Sequence, residues 1–596
     1  MPAPQWHLRF SLGALCLMLI VPFLNPHHYN PIPTFYPEWI AAALGLLAAS
    51  LLLRSPPLTP LELPSVALAP LGIIGLLLIQ LISGQVLFVT QALLFLLYLL
   101  WAVALICLGY ALRQRLGLDA LIEPLSIALL TGACLTAIMQ AIQLAYPFFG
   151  ALIGLNRTGM GGAGNLAQAN HFANYLWLGL ASAIYLCVRG RLGQPLFALL
   201  AVALIASASL TGSRSVLLYA FGFALLSGWA AWRTQQASLR MAFRLALFLC
   251  ASTLLIQFAF SFFEIGKALG ATVSGTRIYQ EASSGGVSQR LQLWRTGLAM
   301  FMDHPWLGAG IGQFPWQAYL LVGARPDGTY LGGGEHAHNL FIDLLAEFGI
   351  IAPVIVLAVM LHWWLAFSRQ RWTAAHGWIA SVLLIQAIHS QLEYPLWYTF
   401  FLGIAALALG AGSMASLRPK ISTLSQPIIA MVFLLGSVTL LNLFIDYRRL
   451  EHTLNWQLQS VEDAPSWEKT LQTLKQLHSE SLFSHYVDLA YAHHSLLNRD
   501  ALKDKILISE RALRFSPVDQ ITYKLAYFLA LDGRANEARL ALERALATHP
   551  KMRLEAIRQL KESSMTHEEL KPLLLQLENA NPVSTIPNDH YEKRHP

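Results

Sequence analysis

A succession of apolar runs, each near the length needed to cross a bilayer, constrains this chain more than any other feature. The hydrocarbon core takes about 20 apolar residues per helix, and shorter runs are met by local thinning. The runs centre on residues 10 to 24, 38 to 53, 65 to 83, 86 to 110, 120 to 145, 170 to 188, 195 to 210, 215 to 232, 241 to 263, 340 to 366, 375 to 390, 396 to 415 and 427 to 445. A single soluble domain is excluded, because 55% hydrophobic and only 12% charged residues cannot cover a globular surface of 596 residues. The chain is therefore expected to be an all-α polytopic membrane protein with about 13 transmembrane helices.

The first run is followed by Val21-Pro22-Phe23-Leu24-Asn25-Pro26, with no small-residue cleavage site, so it is expected to stay as a membrane helix. Cys16, Cys107, Cys134, Cys187 and Cys250 all fall in apolar runs, which argues against a disulfide framework. The net charge of +7 is scattered over helix ends instead of forming one stripe. That pattern suits membrane orientation and an anionic substrate, and excludes nucleic acid as the partner.

Arg54, Arg113 with Arg115, Arg189 with Arg191, Arg233 with Arg240, Arg369 with Arg371, and Arg418 with Lys420 mark every second boundary and read as cytoplasmic loops. Alternation then exports residues 25 to 37, 146 to 169, 211 to 214, 264 to 339, 391 to 395 and everything after about 446. Arg448 and Arg449 run against the rule, so the side of the tail follows from the odd number of spans. Four regions result: membrane helices in 1 to 263, a large exported loop in 264 to 339, further membrane helices in 340 to 446, and a tail in 447 to 596.

The tail is charged and amphipathic. Its Tyr523 to Ala530 segment, followed by Gly533, Ala538, Ala545 and Pro550, has small residues and a terminal proline at spacings like those of a tetratricopeptide (TPR) unit, with a weaker copy around Tyr486 to Ser516. A plain helical hairpin is the alternative. Helical repeats usually present a surface to another protein, which makes the tail a candidate partner-binding module.

The exported segments carry the polar chemistry. Gly332-Gly333-Gly334-Glu335-His336-Ala337-His338-Asn339 runs straight into an apolar helix, and ionisable groups at such an edge are costly to keep unless they have a task. Facing the same side are Thr211-Gly212-Ser213-Arg214-Ser215, the Ser288 to Arg295 segment and Asn165 to His171. An arginine fork at the membrane surface suits bidentate capture of phosphate, and Arg214 with Arg290 could together hold a diphosphate. Gly308-Ala309-Gly310-Ile311-Gly312 lacks the strand and the Lys-Ser/Thr of a nucleotide loop.

The order of a Gly-Ser-Arg turn, a Ser-x-Arg-x-x-x-Trp segment, a glycine-rich stretch and His-x-His-Asn entering a helix resembles the Wzy/O-antigen ligase superfamily. Asn25-Pro26-His27-His28, Pro31-Ile32-Pro33, Glu38, Gln168-Ala169-Asn170-His171 and Leu392-Glu393-Tyr394-Pro395-Leu396-Trp397 are similar to its protein O-oligosaccharyltransferase (PglL-type) branch. The resemblance implies a GT-C-like inner-membrane glycosyltransferase with its site and TPR-like tail in the periplasm. It would move a glycan en bloc from undecaprenyl diphosphate to Ser or Thr of pilin or another periplasmic acceptor protein. It assigns His338 to the acceptor hydroxyl and Arg214 and Arg290 to the diphosphate. It leaves Glu335, His336, Asn339, Glu393, Tyr394, His171 and Gln168 as candidate supporting residues.

The chemistry is consistent with that implication. A glycan on a diphosphate is already activated, so no cofactor is needed, and a base near neutral pKa with two cations would suffice. Metal-independence is expected too, because His336 and His338 are two residues apart, unlike the i, i+4 pairs of helical zinc sites. An O-antigen ligase or polymerase with the same donor remains an alternative. A transporter is the non-enzymatic one, although it would call for charges in mid-span.

Overall fold

A backbone in lipid must bond to itself, and in the computed structural model each apolar run is helical over most of its described residues. The structure describes residues 6–50, 62–146, 148, 164–273, 289–324, 330–331, 333–417, 425–454 and 467–580. Arg54, Ser288, Gly332, Arg418 and Lys420 lie outside them. Among the described residues nine helices are long and apolar enough to cross a membrane, and Phe35–Ala49, Gln194–Ser209 and Thr399–Gly412 are shorter apolar helices. The protein is an all-α, multi-pass membrane protein.

Close helix crossings rely on small residues. A Cβ on Gly410 would stand 2.1 Å from the Ile106 carbonyl oxygen and one on Gly109 2.5 Å from that of Leu407. These two glycines bring Val89–Leu116 and Thr399–Gly412 into backbone contact. Ala169–Val188 is the central helix, buried over nearly its whole length and touched by Leu118–Ala145, Gln194–Ser209, Ser215–Thr234, Ala237–Phe262 and Ala374–Ser390. Its N-terminus therefore brings the Gln168 to His171 segment to the middle of the bundle end.

Two features differ from the hydropathy reading. The run from 340 to 366 is not one helix but two, Leu340–Phe348 and Ile351–Ser368, broken at Gly349 (φ 67°). The break is imposed by packing, since a Cβ on Gly349 would lie 2.2 Å from the carbonyl oxygen of Trp306. The final membrane helix also continues past residue 446, as Ser425–Leu454, because nothing in Tyr447 to Leu454 interrupts a helix.

The described part of the 264 to 339 segment contains the helices Ile265–Leu269, Gln289–Asp303 and Phe314–Leu321 and a strand pair, Gly323–Ala324 with Tyr330–Leu331. The tail is a run of helices from Trp467–Glu480 to Lys571–Asn579, neighbours packing as hairpins, with Ala526, Ala530, Ala538 and Ala545 buried at their contacts. It does not hang free. Phe35 stacks on Tyr447 at 3.7 Å between ring centres, Phe483 and Val487 join that cluster, and Trp316 packs against the tail core.

Candidate active site

His338 is fixed by its neighbours on both sides. Asn339 caps Leu340–Phe348, its Oδ1 accepting from the Phe341 and Ile342 amides at 3.1 and 3.2 Å, while its Nδ2 donates to the Gln391 carbonyl at 3.3 Å. The Ala337 amide donates to Asp343 Oδ1 at 2.7 Å. Between these anchors His338 adopts φ 54°, a left-handed backbone that costs a non-glycine residue about 1 kcal/mol or more. Its imidazole is thereby turned toward the Leu392 to Trp397 turn.

There Glu393, with a side chain only 6% exposed, gathers three partners. His338 Nδ1 lies 2.6 Å from its Oε2, and Arg290 donates to Oε1 at 2.7 Å. Asn170 Nδ2 also donates to Oε1, at 2.6 Å. Behind Asn170, the Ser213 hydroxyl donates to Asn170 Oδ1 at 2.6 Å and lies 2.6 Å from the Ser215 hydroxyl. Burial would raise the Glu393 carboxyl, but the His338 hydrogen bond and charge, and then the Arg290 charge, hold it down to about 2. An ionised carboxylate only accepts, so the neutral form of His338 carries its proton on Nδ1 and has its lone pair at Nε2. That is the arrangement of an oriented general base.

The structure thus joins residues 170, 213, 290, 338 and 393, which come from five separate stretches of the chain. Arg214 is partly exposed and heads Ser215–Thr234, directly after the Ser213 that closes the chain of contacts. Among the described residues Arg290 uses one guanidinium nitrogen on Glu393, and its side chain is 26% exposed, so its fork has further donors to offer an anion. Tyr394 packs beside both histidines, 4.4 Å from His336 and 5.1 Å from His338 between ring centres, and burial pushes its phenol up to about 12.

The remaining candidates sit less directly. The Gln168 side chain caps Ala169–Val188 by accepting from the His171 amide at 2.5 Å. The His171 ring is buried among His389, Tyr398 and Phe401, below the Glu393 cluster. His336 turns away from His338 toward Tyr394 and Trp397, and burial, then the His338 charge, lower it to about 3. Glu335 is raised by burial and countered by the charge of His338, whose Nδ1 is engaged by Glu393 instead. Among the described residues no group of three or more His, Cys, Asp or Glu side chains could hold a common ion.

Asn170 and Ser213 are the participants that residue chemistry alone does not single out. The available signal is position, since both lie within segments already marked by a neighbouring charged or aromatic residue.

Known proteins place this geometry. Residues 196–357 match the O-antigen ligase family (Wzy_C) and carry Arg214, Arg290 and His338. Residues 378–562 match the family described as virulence factor membrane-bound polymerase, C-terminal (Wzy_C_2), and carry Glu393 and most of the tail helices. A general O-oligosaccharyltransferase of Acinetobacter baylyi is 26% identical over 463 residues, 74% of this chain and 76% of that protein. A ComP-specific O-oligosaccharyltransferase of the same organism is 24% identical over 405 residues, 67% and 70% of the two chains. With the two matched families bracketing one joint site, the chain is a multi-pass membrane protein of the Wzy/O-antigen ligase superfamily.

Proposed function

We propose that the protein is an O-oligosaccharyltransferase that moves a glycan from a lipid diphosphate, undecaprenyl diphosphate, to a Ser or Thr hydroxyl of pilin or another periplasmic protein. The observation that carries this reading is the convergence of His338 and Arg290 on the buried Glu393 carboxylate. The two oligosaccharyltransferase relatives favour a protein acceptor over the lipid acceptor of a ligase.

In the transfer, the acceptor oxygen attacks the anomeric carbon while the bond from that carbon to the diphosphate oxygen breaks. His338 Nε2 takes the hydroxyl proton, and Glu393 stabilises the imidazolium that forms. Arg214 and the free donors of Arg290 hold the departing diphosphate, whose charge grows as the bond breaks. Glu393 orients the base and also tethers Arg290, which ties the two halves of the reaction to one carboxylate. This is a metal-independent route built from the chain's own groups. The 264 to 339 segment and the TPR-like tail face the periplasm, and the membrane is the bacterial inner membrane.

The test is direct. Periplasmic proteins from cells with and without this protein are compared by mass spectrometry, and purified protein is given lipid-linked glycan and acceptor. Glycan on Ser or Thr only where the protein is present supports the reading; glycan delivered only to lipopolysaccharide core would identify a ligase instead.

A further inference from the structure

The Glu393 cluster occupies one flank of the polar patch, and the transfer step leaves the other flank without a task. That flank is rich in phenols. Tyr394 stacks on Tyr398 at 5.7 Å, and His336 packs between Tyr394 and Trp397 with its Nδ1 buried and lacking a hydrogen-bond partner. Tyr394, Trp397 and Tyr398 are each partly exposed, and Glu335 is exposed although closely surrounded.

The tail completes this wall. Ser484–His494 docks on the start of Val89–Leu116, with Thr90 Oγ1 3.0 Å from Ser484 Oγ and the Phe88 ring 6.1 Å from that of His485. The patch itself touches the tail, because a Cβ on Gly333 would meet Thr548 Cγ2 at 3.2 Å. Tyr486, partly exposed at the first turn of the docked helix, packs on Phe483 in the aromatic cluster of Phe35 and Tyr447, and Glu38 follows on the same helix as Phe35, its carbonyl oxygen accepting from the Thr399 hydroxyl at 2.9 Å, next to Tyr398. Burial raises the phenol of Tyr486, and the Glu335 and Glu38 carboxylates raise it further. Glu38 thus reaches this wall through Thr399, and Tyr486 through the Phe35 cluster.

A wall of aromatic rings with carboxylates and an imidazole does not suit a diphosphate. It suits a carbohydrate: ring faces pack on the apolar C–H faces of pyranoses, and carboxylates accept sugar hydroxyls. The geometry agrees, since the arginines lie on the Glu393 side, and a glycan leaving its diphosphate there must extend toward the opposite flank.

We propose that Glu38, Glu335, His336, Tyr394, Tyr398 and Tyr486 form a subsite for the sugar residues of the donor glycan, with the tail taking part in glycan selection through Tyr486. This rests on the transfer reading above.

The test uses full-length protein in lipid nanodiscs, with lipid-diphosphate donors carrying one sugar or a full oligosaccharide. Tyr486→Ala is expected to raise KM for the oligosaccharide donor about 3- to 10-fold, to raise KM for the acceptor not at all, and to be rescued by Tyr486→Phe. Glu335→Gln, which keeps size and shape, should raise the same donor KM and covers the case in which Tyr486→Ala does not fold. Wild-type donor KM in Glu335→Gln and in folded Tyr486→Ala overturns the subsite. A change confined to acceptor KM also overturns it and assigns the wall to the acceptor polypeptide. Wild-type protein that transfers nothing brings down the transfer reading as well, whereas active wild type with unaffected variants brings down the subsite alone.

Discussion

His338 Nδ1 and Glu393 Oε2 lie 2.6 Å apart, and the second oxygen of the same carboxylate is held by Arg290 at 2.7 Å. One buried acid thus orients a base and places a cation, so a change at residue 393 should be felt in both. Glu393→Gln preserves size but not charge, and is expected to lower kcat by about 10² to 10⁴, as for loss of the acid behind a catalytic histidine. Glu393→Ala should also destabilise the protein by about 3 to 5 kcal/mol, the usual cost of breaking a buried pair from one side. Transfer rates and thermal unfolding in detergent check the two effects separately.

The arginines should separate by task. Arg214→Ala is expected to weaken donor binding by about 1.5 to 3 kcal/mol, and Arg214→Lys by less, because the charge remains while the fork is lost. Arg290→Ala should lose stability in addition, since it leaves Glu393 short of a partner. Binding of lipid diphosphate to purified variants measures the first effect, and unfolding measures the second. Wild-type transfer in both alanine variants at normal abundance contradicts the diphosphate assignment.

Acid should loosen the structure in two stages. Burial lowers His336 and His485 from 6.5 to about 3, so between those values the unfolded chain takes up protons that the folded one does not, and stability falls as pH drops below 6.5. Glu393 is held down from 4.5 to about 2; its contribution is complete above 4.5 and is lost as pH falls toward 2. Both act in the same direction. The melting temperature is expected to decline from pH 6.5 and more steeply below 4.5, and His336→Gln should flatten the upper part of that decline.

Reporter fusions after Arg191, Arg371 and Lys420 should read cytoplasmic, and fusions at Ser283 and Asp532 periplasmic. A cytoplasmic signal at Ser283 contradicts the placement of the site on the side where exported acceptors are found.

Much of this was legible before any coordinates, for physical reasons. Lipid forces apolar runs into helices, and ionisable groups at a membrane edge stand out, which is why His338 and Arg290 could be named from the sequence, whereas Glu393 was marked by the family resemblance of its segment. Their convergence could not be read, because residues 290, 338 and 393 meet only through the crossing of separate helices. Asn170 and Ser213 were missed since amides and hydroxyls at helix ends usually cap, and only the approach of Ala169–Val188 to the Ser213 turn gives them another partner. The break at Gly349 was hidden because its cause, the Trp306 carbonyl, is remote in sequence. The docking of Tyr486 was equally hidden, as nothing in an amphipathic tail says which face meets the membrane part.

The central claim is that His338 takes the acceptor proton without a metal. Its most direct measurement is glycan transfer by purified wild-type and His338→Ala protein, with lipid-linked glycan, acceptor protein and excess EDTA, alongside donor binding by each. The account predicts full wild-type activity under EDTA, a loss of about 10² to 10⁴-fold for His338→Ala, and donor binding retained in the variant. Wild-type activity abolished by EDTA and restored by a divalent ion, or His338→Ala transferring at the wild-type rate, would contradict it.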